Sequence, residues 1–599
     1  MAALASDAKS LGTPEDEDGS RLWMRYEEAI EGKVQRVLDS TIDDDEGYVI
    51  EGNVVRARTE RGLLYGTFAL LRGEQGASRP FFRRRILNHW DNLDGTVERG
   101  YAGSSIFWPT FDAGRLRDYG RANASIGING TVLNNVNASP KVLARESLLQ
   151  VQQVADILRP YGIQVYLSVN FASPMGLGGL PTADPLNPKV KRWWKRKVNE
   201  IYRLIPDFGG FLVKANSEGQ PGPGDYGRSH AEGANMLADA LAPHGGIVMW
   251  RSFVYGANHK GEDRVKQAVS EFAPCDGQFR ENVILQSKNG PLDFQPREPY
   301  APIFDVIQQT PQMVELQITQ EYLGQSRHLV YLAPMWQEFF SFVEPDRLTA
   351  IAGVANIGND ANWCGHHFSQ ANWYAFGRLA WNPSLTAEEI ADEWLRATFG
   401  TEEATLTLPL WQQELKGVML RSREACVDYM MPLGLHHIFK FDHHYGPEPD
   451  GFKASYPLEW CPVYYHQADS AGIGFNRSHT GSNATSQYRE PYRSLYDNPA
   501  TCPDNLLLWF HHLPWSYPMR SGRTLWEEMQ WHYDRGVGEV EDFLRVWQSC
   551  RPYIDGRRWR EVEERLQHQL KNAREWHDVC LGYFGSFQGK EPALSTPSN

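Results

Sequence analysis

The sequence lacks the features that would anchor it in a membrane or cross-link it. Its 599 residues include only seven cysteines, which are scattered and form no Cys-x-x-Cys pair. In so long a chain, cysteines of this kind are typical of reduced thiols in a cytoplasmic protein. No apolar run approaches the roughly 20 residues of a membrane-spanning helix, and the acid-rich N-terminus has no signal-peptide character. We therefore expect a cytoplasmic location and no membrane partner.

The chain also lacks an excess of positive charge. Its formal net charge is −14 at pH 7, which argues against a nucleic-acid partner because such proteins present a basic face to the phosphate backbone. An anionic ligand would have to be attracted by a local cluster of cations. Common cofactor and metal motifs give no support either, since no GxGxxG or GxxxxGK[ST] phosphate loop follows the early strands and no HExxH is present.

Strand-like and helix-like segments alternate from about residue 80 to residue 400, which is typical of parallel α/β folds. Helical patterns such as 147–158, 188–204 and 233–241 separate eight apolar segments with strand character. These segments are 85–90, 127–134, 164–170, 209–216, 247–254, 282–287, 314–320 and 350–357. Eight such units predict an α/β fold of the (β/α)₈ TIM-barrel type. An open doubly wound sheet is the alternative, but no phosphate-binding loop follows the early strands.

Two smaller regions flank the predicted barrel, which we assign to residues 79–402. Residues 1–78 are expected to form a small N-terminal α/β domain. Within it, 47–59 alternates like a hairpin around Gly52-Asn53, and 62–72 has the pattern of an amphipathic helix. Residues 403–599 are expected to form a mainly helical C-terminal domain, with helices predicted over 540–549 and 559–581.

Charged side chains lie at or just after the C-terminal ends of four successive predicted strands of the barrel. The C-terminal ends of barrel strands converge on one face, where active sites lie. Three carboxylates and three cations would then share a pocket, which suits acid/base cleavage of a glycosidic bond in a negatively charged sugar. These residues are Lys214 and Glu218, Arg251, Lys288 and Asp293, and Glu321.

Each of these side chains also has a purely structural interpretation. Glu218 lies four residues after Lys214 in an extended segment, so the two would share a face and form an ion pair. Asp293 and Glu321, taken singly, read as solvated loop carboxylates. Arg251 inside an apolar strand is costly to bury alone, so it needs an anion from the protein or from a ligand. Its fork of donors suits a substrate carboxylate.

Residues 88–91 lie at the end of the first predicted strand and would sit at the barrel mouth. Trp90 there is suited to stacking on a sugar ring, although core packing explains it nearly as well. Glu98 and Arg99 are expected to form a structural ion pair. Pairs of adjacent histidines invite a metal interpretation, but adjacent side chains point apart in a strand. We expect no metal, and favour hydrogen bonding at the pocket rim for His366-His367, His436-His437 and His443-His444.

Long segments of the chain resemble one known family. They extend over about residues 45–585 and are nearly uninterrupted. The segments are NHWDNLDGTVERGYAGSSIF, GFLVKANSEGQPGPGDYGR, KNGPLDFQPREPYAP, ELQITQEYLGQ, HLVYLAPMW, GVANIGNDANWCGHHFSQANWYAFGRLAW and DHHYGPEPD. Through them the sequence is similar to the α-glucuronidases of glycoside hydrolase family 67.

The resemblance implies a barrel between an N-terminal α/β domain and a helical C-terminal domain that takes part in homodimer formation. It also implies hydrolysis of the α-1,2 bond that links (4-O-methyl-)D-glucuronic acid to the terminal xylose of xylo-oligosaccharides, as part of xylan degradation. Members of the family invert the anomeric configuration and use no metal or organic cofactor. Between RLWMRYEEA and DEGYVIEG, however, this chain is shorter than the family's N-terminal domain.

Site residues are carried over motif by motif. Glu218 in ANSEGQ corresponds to the general acid. Asp293 in GPLDFQ and Glu321 in ITQEY correspond to the water-activating carboxylates, and which of them is the base stays open. The positions that match substrate-binding residues of the family are Lys214, Arg251 and Lys288 for the carboxylate, Val136 for the 4-O-methyl group and Trp90 for the sugar.

Two alternatives to this function stay open. One is a glycosidase that acts on another acidic sugar or retains configuration. The other is a non-catalytic sugar-binding protein built on a barrel, because fold alone does not decide function.

Overall fold

The N-terminal part of the chain folds into a four-stranded sheet covered by one helix. The computed structural model describes residues 17–24, 34–253, 255, 259, 261–399, 408–441 and 443–588. The sheet has the order β1-β3-β2-β4, and β2 and β3 form the predicted hairpin, with Gly52 in the left-handed conformation (φ 63°) at its turn. The elements are β1 (Gln35–Leu38), β2 (Tyr48–Glu51), β3 (Val54–Ala57), α1 (Glu60–Leu71) and β4 (Gly76–Ser78).

Eight parallel strands close into a barrel in which each strand pairs with two neighbours. The last strand returns to the first, with Ala350 beside Arg84. Each strand overlaps a predicted one, so the (β/α)₈ barrel is confirmed and the open-sheet alternative is wrong. The strands are β5 (Arg84–Asn88), β6 (Gly130–Val132), β7 (Gln164–Ser168), β8 (Gly210–Val213), β9 (Ile247–Arg251), β10 (Val283–Lys288), β11 (Gln312–Gln317) and β12 (Ala350–Val354).

Helices surround the barrel and make up most of the C-terminal region. Among the described residues, no helix is both long and apolar enough to cross a bilayer. The barrel helices are α2 (Ala113–Ser125), α3 (Arg145–Leu158), α4 (Ser173–Gly176), α5 (Pro188–Leu204), α6 (His230–Leu241), α7 (Gln267–Phe272), α8 (Ile303–Val306), α9 (Ala333–Phe342), α10 (Ser369–Trp381) and α11 (Ala387–Phe399). The C-terminal helices are α12 (Leu410–Met430), α13 (Pro462–His466), α14 (Tyr492–Asp497), α15 (Leu507–Phe510), α16 (Leu525–Ser549) and α17 (Gly556–Gly585).

Some element boundaries differ from the predicted ones for identifiable reasons. β6 is shorter than predicted, because Gly127 adopts a left-handed conformation (φ 79°) that strand residues avoid. α16 begins 15 residues before the predicted start at 540, since Thr524 and Glu527 form a capping box there. β11 was predicted over 314–320 but ends at Gln317, so Glu321 lies beyond the strand end.

One continuous core of buried apolar side chains runs from the barrel into the C-terminal helices. The ring centroid of Phe368, just before α10, lies 5.6 Å from that of Trp547 in α16. The backbone N–H of Leu329 donates to Gln569 Oε1 in α17 at 2.9 Å. A smaller core holds the N-terminal sheet against Trp381 of α10. These contacts fix the C-terminal region on the barrel and let its loops contribute to the barrel mouth.

Candidate active site

The predicted charged residues of the site lie at or just beyond the C-terminal ends of four strands that are adjacent in the barrel. β8, β9, β10 and β11 pair in that order through parallel registers. Lys214 follows the end of β8 directly, whereas Arg251 and Lys288 are the last residues of β9 and β10. Because parallel strands end on one face, the side chains just beyond these ends come together.

Glu218 and Lys214 form an ion pair at the end of β8. Lys214 Nζ donates to Glu218 Oε2 at 2.5 Å and to Asn137 Oδ1 at 2.9 Å. The expectation that both share one face of an extended segment is wrong. β8 ends at Val213, and Asn216 and Glu218 have left-handed backbones (φ 51° and 49°). The loop therefore turns Glu218 back toward the lysine, and strained residues of this kind are concentrated at functional sites.

The charge state of Glu218 depends on Lys214. Burial raises the pKa of Glu218, but the attraction and hydrogen bond of Lys214 outweigh it and leave the pKa below its usual value. The neighbouring charges of Asp293 and Lys288 act in opposite directions on the same carboxyl. Without a ligand, the anionic form of Glu218 is thus favoured.

Asp293 is held as an anion by donors on both oxygens. Lys288 Nζ donates to Oδ1 at 2.5 Å, and the hydroxyl of Tyr322 donates to Oδ2 at 2.5 Å. Burial raises the pKa of Asp293, but the positive charges of Lys288 and Arg264 lower it by more. The net pKa therefore lies well below the usual range. Lys288 also lies 3.2 Å from the centre of the Phe253 ring, a cation–π contact.

A buried glutamate shapes the turn that carries Asp293. Glu298 accepts hydrogen bonds from the backbone N–H groups of Leu292, Asp293 and Gln295 at 2.6, 2.8 and 2.8 Å. Burial raises the pKa of Glu298 to about 7 despite these bonds. The turn is therefore built around one buried carboxyl group.

Glu321 receives donors from three separate parts of the chain. Gln317 Nε2 donates to Oε2 at 2.9 Å, and His444 Nδ1 lies 2.9 Å from Oε1. Arg99 Nε lies 3.0 Å from the same Oε1. Arg99 was expected to pair with Glu98, but Glu98 instead accepts hydrogen bonds from the amides of 135 and 137. His444 is one of the histidines for which hydrogen bonding at the rim was favoured.

Arg251 is bound by a glutamate that the sequence analysis missed. Its Nε and Nη2 donate to Glu315 Oε2 and Oε1 at 2.8 and 2.6 Å, and Gln286 Nε2 donates to Oε2 at 2.5 Å. The side chains of Arg251 and Glu315 are only 2% and 1% exposed. The anion that Arg251 requires is thus supplied by the protein, and two of its guanidinium nitrogens already bind a carboxylate.

Trp90 and Val136 are both buried near these groups. Arg251 Cζ lies 5.8 Å from the centre of the Trp90 ring. Val136 precedes the asparagine whose amide oxygen accepts from Lys214. Next to Trp90, burial raises the pKa of Asp91 to about 7, although a hydrogen bond from Ser105 opposes this shift. The predicted sugar-binding positions therefore adjoin the charged cluster.

A second cation that was not predicted approaches Asp293 from the loop after β9. Arg264 Cζ lies 3.2 Å from the centre of the Tyr255 ring. Its Nη1 donates to the hydroxyl of Tyr465 in the C-terminal region at 2.7 Å. Tyr255 in turn donates to the backbone oxygen of Leu292 at 2.5 Å, next to Asp293. Barrel and C-terminal loops thus form one wall around this carboxylate.

The histidine pairs do not form a metal centre in the described part of the chain. No group of three or more His, Cys, Asp or Glu side chains there is arranged to hold a metal ion. Instead, His367 Nε2 lies 2.7 Å from Glu561, and the His437 ring stacks on Tyr465 with centroids 4.6 Å apart.

Comparison with known proteins identifies the family. Models described as "Glycosyl hydrolase family 67 middle domain" and "Glycosyl hydrolase family 67 C-terminus" match residues 69–363 and 364–595. Alpha-glucuronidase A of Emericella nidulans is 41% identical over 595 residues, which cover 91% of this chain and 69% of that protein. Probable alpha-glucuronidase A of Aspergillus clavatus is 40% identical over 568 residues (89% and 66%). Alpha-glucuronidase of Hypocrea jecorina is 38% identical over 583 residues (90% and 68%).

The chain spans about two thirds of the length of these curated relatives. Its family matches begin within α1 and include the barrel and the C-terminal helices. The predicted resemblance is therefore confirmed, and the chain is a glycoside hydrolase that belongs to glycosyl hydrolase family 67, the family of these α-glucuronidases.

Proposed function

We propose that the protein removes (4-O-methyl-)D-glucuronic acid from xylo-oligosaccharides by hydrolysing its α-1,2 bond to the terminal xylose, with inversion, as a step in xylan degradation. The observation that carries this proposal is the set of three carboxylates at the mouth of the barrel. Each of them lies beside a cation, as the ion pairs Lys214–Glu218, Lys288–Asp293 and Arg99–Glu321 show. Such a cluster combines acid/base groups with positive charge for a uronate.

In the proposed mechanism, Glu218 protonates the oxygen that leaves with xylose. A second carboxylate, Asp293 or Glu321, deprotonates a water on the opposite face of the sugar. The transition state resembles an oxocarbenium ion, whose positive charge a nearby carboxylate stabilises. An inverting enzyme holds its two carboxyl groups roughly 6.5–9.5 Å apart so that water fits between them. Glu218 and its two candidate partners lie on different loops, which suits this arrangement.

The uronate carboxylate is proposed to bind beside Lys214, Lys288 and Arg251. Glu315 already binds two nitrogens of Arg251, so we expect the ammonium groups of Lys214 and Lys288 to make the main contacts with the substrate carboxylate. Lys214 is buried and donates to Glu218, whose side chain remains 39% exposed. A substrate carboxylate that shares Lys214 would weaken the hold of this lysine on Glu218. It would thereby favour the protonated form that a general acid needs. Trp90 and Val136 are proposed to line the sugar and its methyl group.

Replacing Lys214 with methionine should move the basic limb of the kcat/KM profile to higher pH. Glu218 must be protonated to act as the acid, and Lys214 lowers its pKa. Removing the positive charge raises that pKa, so the active protonation state persists at higher pH. KM for uronosyl substrates should rise as well. A pH profile of the purified variant checks this, and an unchanged basic limb would show that Lys214 does not control the acid.

The activity itself is tested by a proton NMR time course with aldotriouronic or aldotetraouronic acid. Early appearance of the β-anomer of free 4-O-methylglucuronic acid is expected, because the substrate is an α-glycoside and the reaction inverts. Early α-anomer would keep the substrate but contradict inversion. A folded protein that releases no uronic acid, but binds the oligosaccharide in calorimetry, would favour the sugar-binding alternative. Neutral glycosyl xylo-oligosaccharides serve as the comparison for substrate class.

We also propose a cytoplasmic homodimer formed through the C-terminal region. All seven cysteines are unpaired and buried, which suits a reducing compartment. A cytoplasmic enzyme would act on small imported oligosaccharides.

The proposed homodimer is tested by light scattering of the purified protein, which measures its mass directly. A monomeric mass at micromolar concentration would contradict the dimer.

A further inference from the structure

The two carboxylates that could activate water have different surroundings. Both oxygens of Asp293 are engaged, one by the ammonium of Lys288 and one by the hydroxyl of Tyr322, each at 2.5 Å. Arg264 adds a further positive charge near this group. An anion stabilised in this way is a weak proton acceptor, because proton transfer would have to overcome these interactions.

Glu321 keeps one oxygen beside an uncharged donor. Within the described residues, Oε2 has the side-chain amide of Gln317 as its hydrogen-bond donor, at 2.9 Å. The charged and ring donors, Arg99 and His444, both meet the other oxygen, Oε1. A carboxylate oxygen has two lone-pair directions, so Oε2 can accept a hydrogen bond from water in addition to that of Gln317.

His444 is fixed in position by contacts on two sides. Its ring stacks on that of Tyr322 with centroids 4.7 Å apart and an interplanar angle of 20°. Its Nδ1 lies 2.9 Å from Glu321 Oε1. The backbone of His444 is left-handed (φ 50°), a conformation that residues with side chains rarely adopt and that surrounding contacts must maintain. The ring of His444 thus contacts both Glu321 and Tyr322, the tyrosine that donates to Asp293.

We propose that Glu321, and not Asp293, takes the proton from the attacking water, and that His444 is the positioning residue that holds Glu321 for this step. The inference rests on the proposed hydrolysis. As the water oxygen bonds to the anomeric carbon, its proton passes to Glu321 Oε2. The glycosidic bond breaks with its electron pair on the leaving oxygen, which takes the proton of Glu218. Asp293 stays an anion and stabilises the positive charge of the sugar.

This assignment gives the C-terminal region a part in the chemistry. His444 lies in the loop after α12, more than 120 residues beyond Glu321 in the chain. Titratable groups that face Glu321 are Arg99 and Tyr101 from the loop after β5, its neighbour Tyr322, and His444. His437 faces His444, with ring centroids 5.9 Å apart. Each variant that tests the assignment replaces one of these residues, either His444 or Tyr322, and leaves the others unchanged.

Two substitutions of His444 separate its hydrogen bond from its ring. In His444→Phe the ring can still stack on Tyr322, but the donor to Glu321 is lost. In His444→Asn an amide N–H is placed near the position of Nδ1, but the aromatic stack is lost. The readouts are kcat and the acid limb of kcat/KM, which reports the ionisation of the essential base in the free enzyme.

For His444→Phe we expect kcat to fall about tenfold and the acid limb to move up by about one pH unit, because losing a hydrogen bond makes the anion of Glu321 less stable. For His444→Asn the acid limb should return toward the wild-type position. An acid limb that stays at the wild-type pH in His444→Phe overturns the proposal. So does an equal shift in both variants, since the hydrogen bond would then not be the cause.

Tyr322→Phe provides the matched control on Asp293. It keeps a ring for His444 to stack on and removes the hydroxyl that donates to Asp293. We expect its acid limb to stay where it is in the wild type; an upward shift there, with none in His444→Phe, would identify Asp293 as the base. These measurements presuppose an active wild-type enzyme, so a wild type that releases no uronic acid refutes the proposed function before any variant is compared.

Discussion

Glu218→Gln should lower the turnover of uronosyl xylo-oligosaccharides by about 10²–10⁴-fold, the usual contribution of a general acid. Glutamine keeps the size of the side chain and its oxygen for Lys214, but its amide is far too weak an acid to protonate the leaving oxygen. Xylose is a poor leaving group that departs slowly without protonation. The loss should therefore appear in kcat, measured by release of free uronic acid, and KM should change much less.

The leaving group provides the sharpest check of this role. With an aryl glucuronide whose phenol is acidic enough to leave unprotonated, Glu218→Gln should lose far less activity than with xylose. Glu388, an exposed glutamate in the first turn of α11, is the control, and Glu388→Gln should behave as the wild type. Circular dichroism shows whether Glu218→Gln, which places an uncharged side chain beside Lys214, is folded like the wild type. Wild-type turnover by Glu218→Gln on xylo-oligosaccharides would rule out its role as acid.

The barrel could be predicted because its strands are buried on both faces. β8, β9 and β10 are buried along their whole lengths. Such strands read as continuous apolar runs bounded by turns. Their C-terminal ends could be predicted too, which placed Glu218, Arg251 and Lys288 on one face. The exact boundaries depended on local chemistry, such as the cap at Thr524 or the conformation of Gly127, that periodicity does not show.

The partners of the site residues could not be predicted in the same way. Glu315 stands inside an apolar run and looks like an isolated charge until β9 and β11 close on either side of β10. Arg251, 64 residues earlier, then binds it. Arg99 was assigned to its neighbour in sequence, whereas the closed barrel brings it to Glu321. Only the general need of a buried arginine for an anion pointed to such a partner.

His444 shows the same limit over a longer distance. Its segment was recognised by family resemblance, but its contact with Glu321 depends on how the C-terminal helices pack against the barrel. Sequence spacing carries no information about that packing. Arg264 and Tyr465, which help to form the wall around Asp293, were not predicted for the same reason.

Arg251→Met should cost about 3–5 kcal/mol of unfolding free energy, because it leaves the carboxylate of Glu315 buried without its cation. Within the described residues, the side-chain amide of Gln286 would remain as the hydrogen-bond donor to that carboxylate. Burial raises the pKa of Glu315, but Arg251 lowers it to below the usual value. The stabilisation of the fold by this ion pair is therefore fully present at pH values above the ordinary pKa of a glutamate. It is lost as the pH falls through the lowered pKa of Glu315. Denaturant unfolding at neutral pH measures the difference.

An exposed ion pair gives the matched control for this prediction. Arg280 and Asp239 lie 2.8 Å apart, but each side chain is 56% exposed. Water screens such a pair, so Arg280→Met should change the stability by at most about 1 kcal/mol. Equal effects of Arg251→Met and Arg280→Met would show that burial of the Arg251–Glu315 pair does not matter. The comparison uses the same substitution in the same protein, so size and flexibility of the new side chain are shared.

The double variant Arg251→Met, Glu315→Leu separates the structural role of the arginine from binding. Replacing both members of a buried pair with apolar side chains is often neutral or stabilising, so most of the lost stability should return. The uronate would still meet Lys214 and Lys288 but not Arg251. If Arg251 serves substrate as well as Glu315, this stable double variant shows a raised KM for uronosyl oligosaccharides. If its KM equals that of the wild type, Arg251 acts only as the partner of Glu315, and recognition of the carboxylate rests on the two lysines.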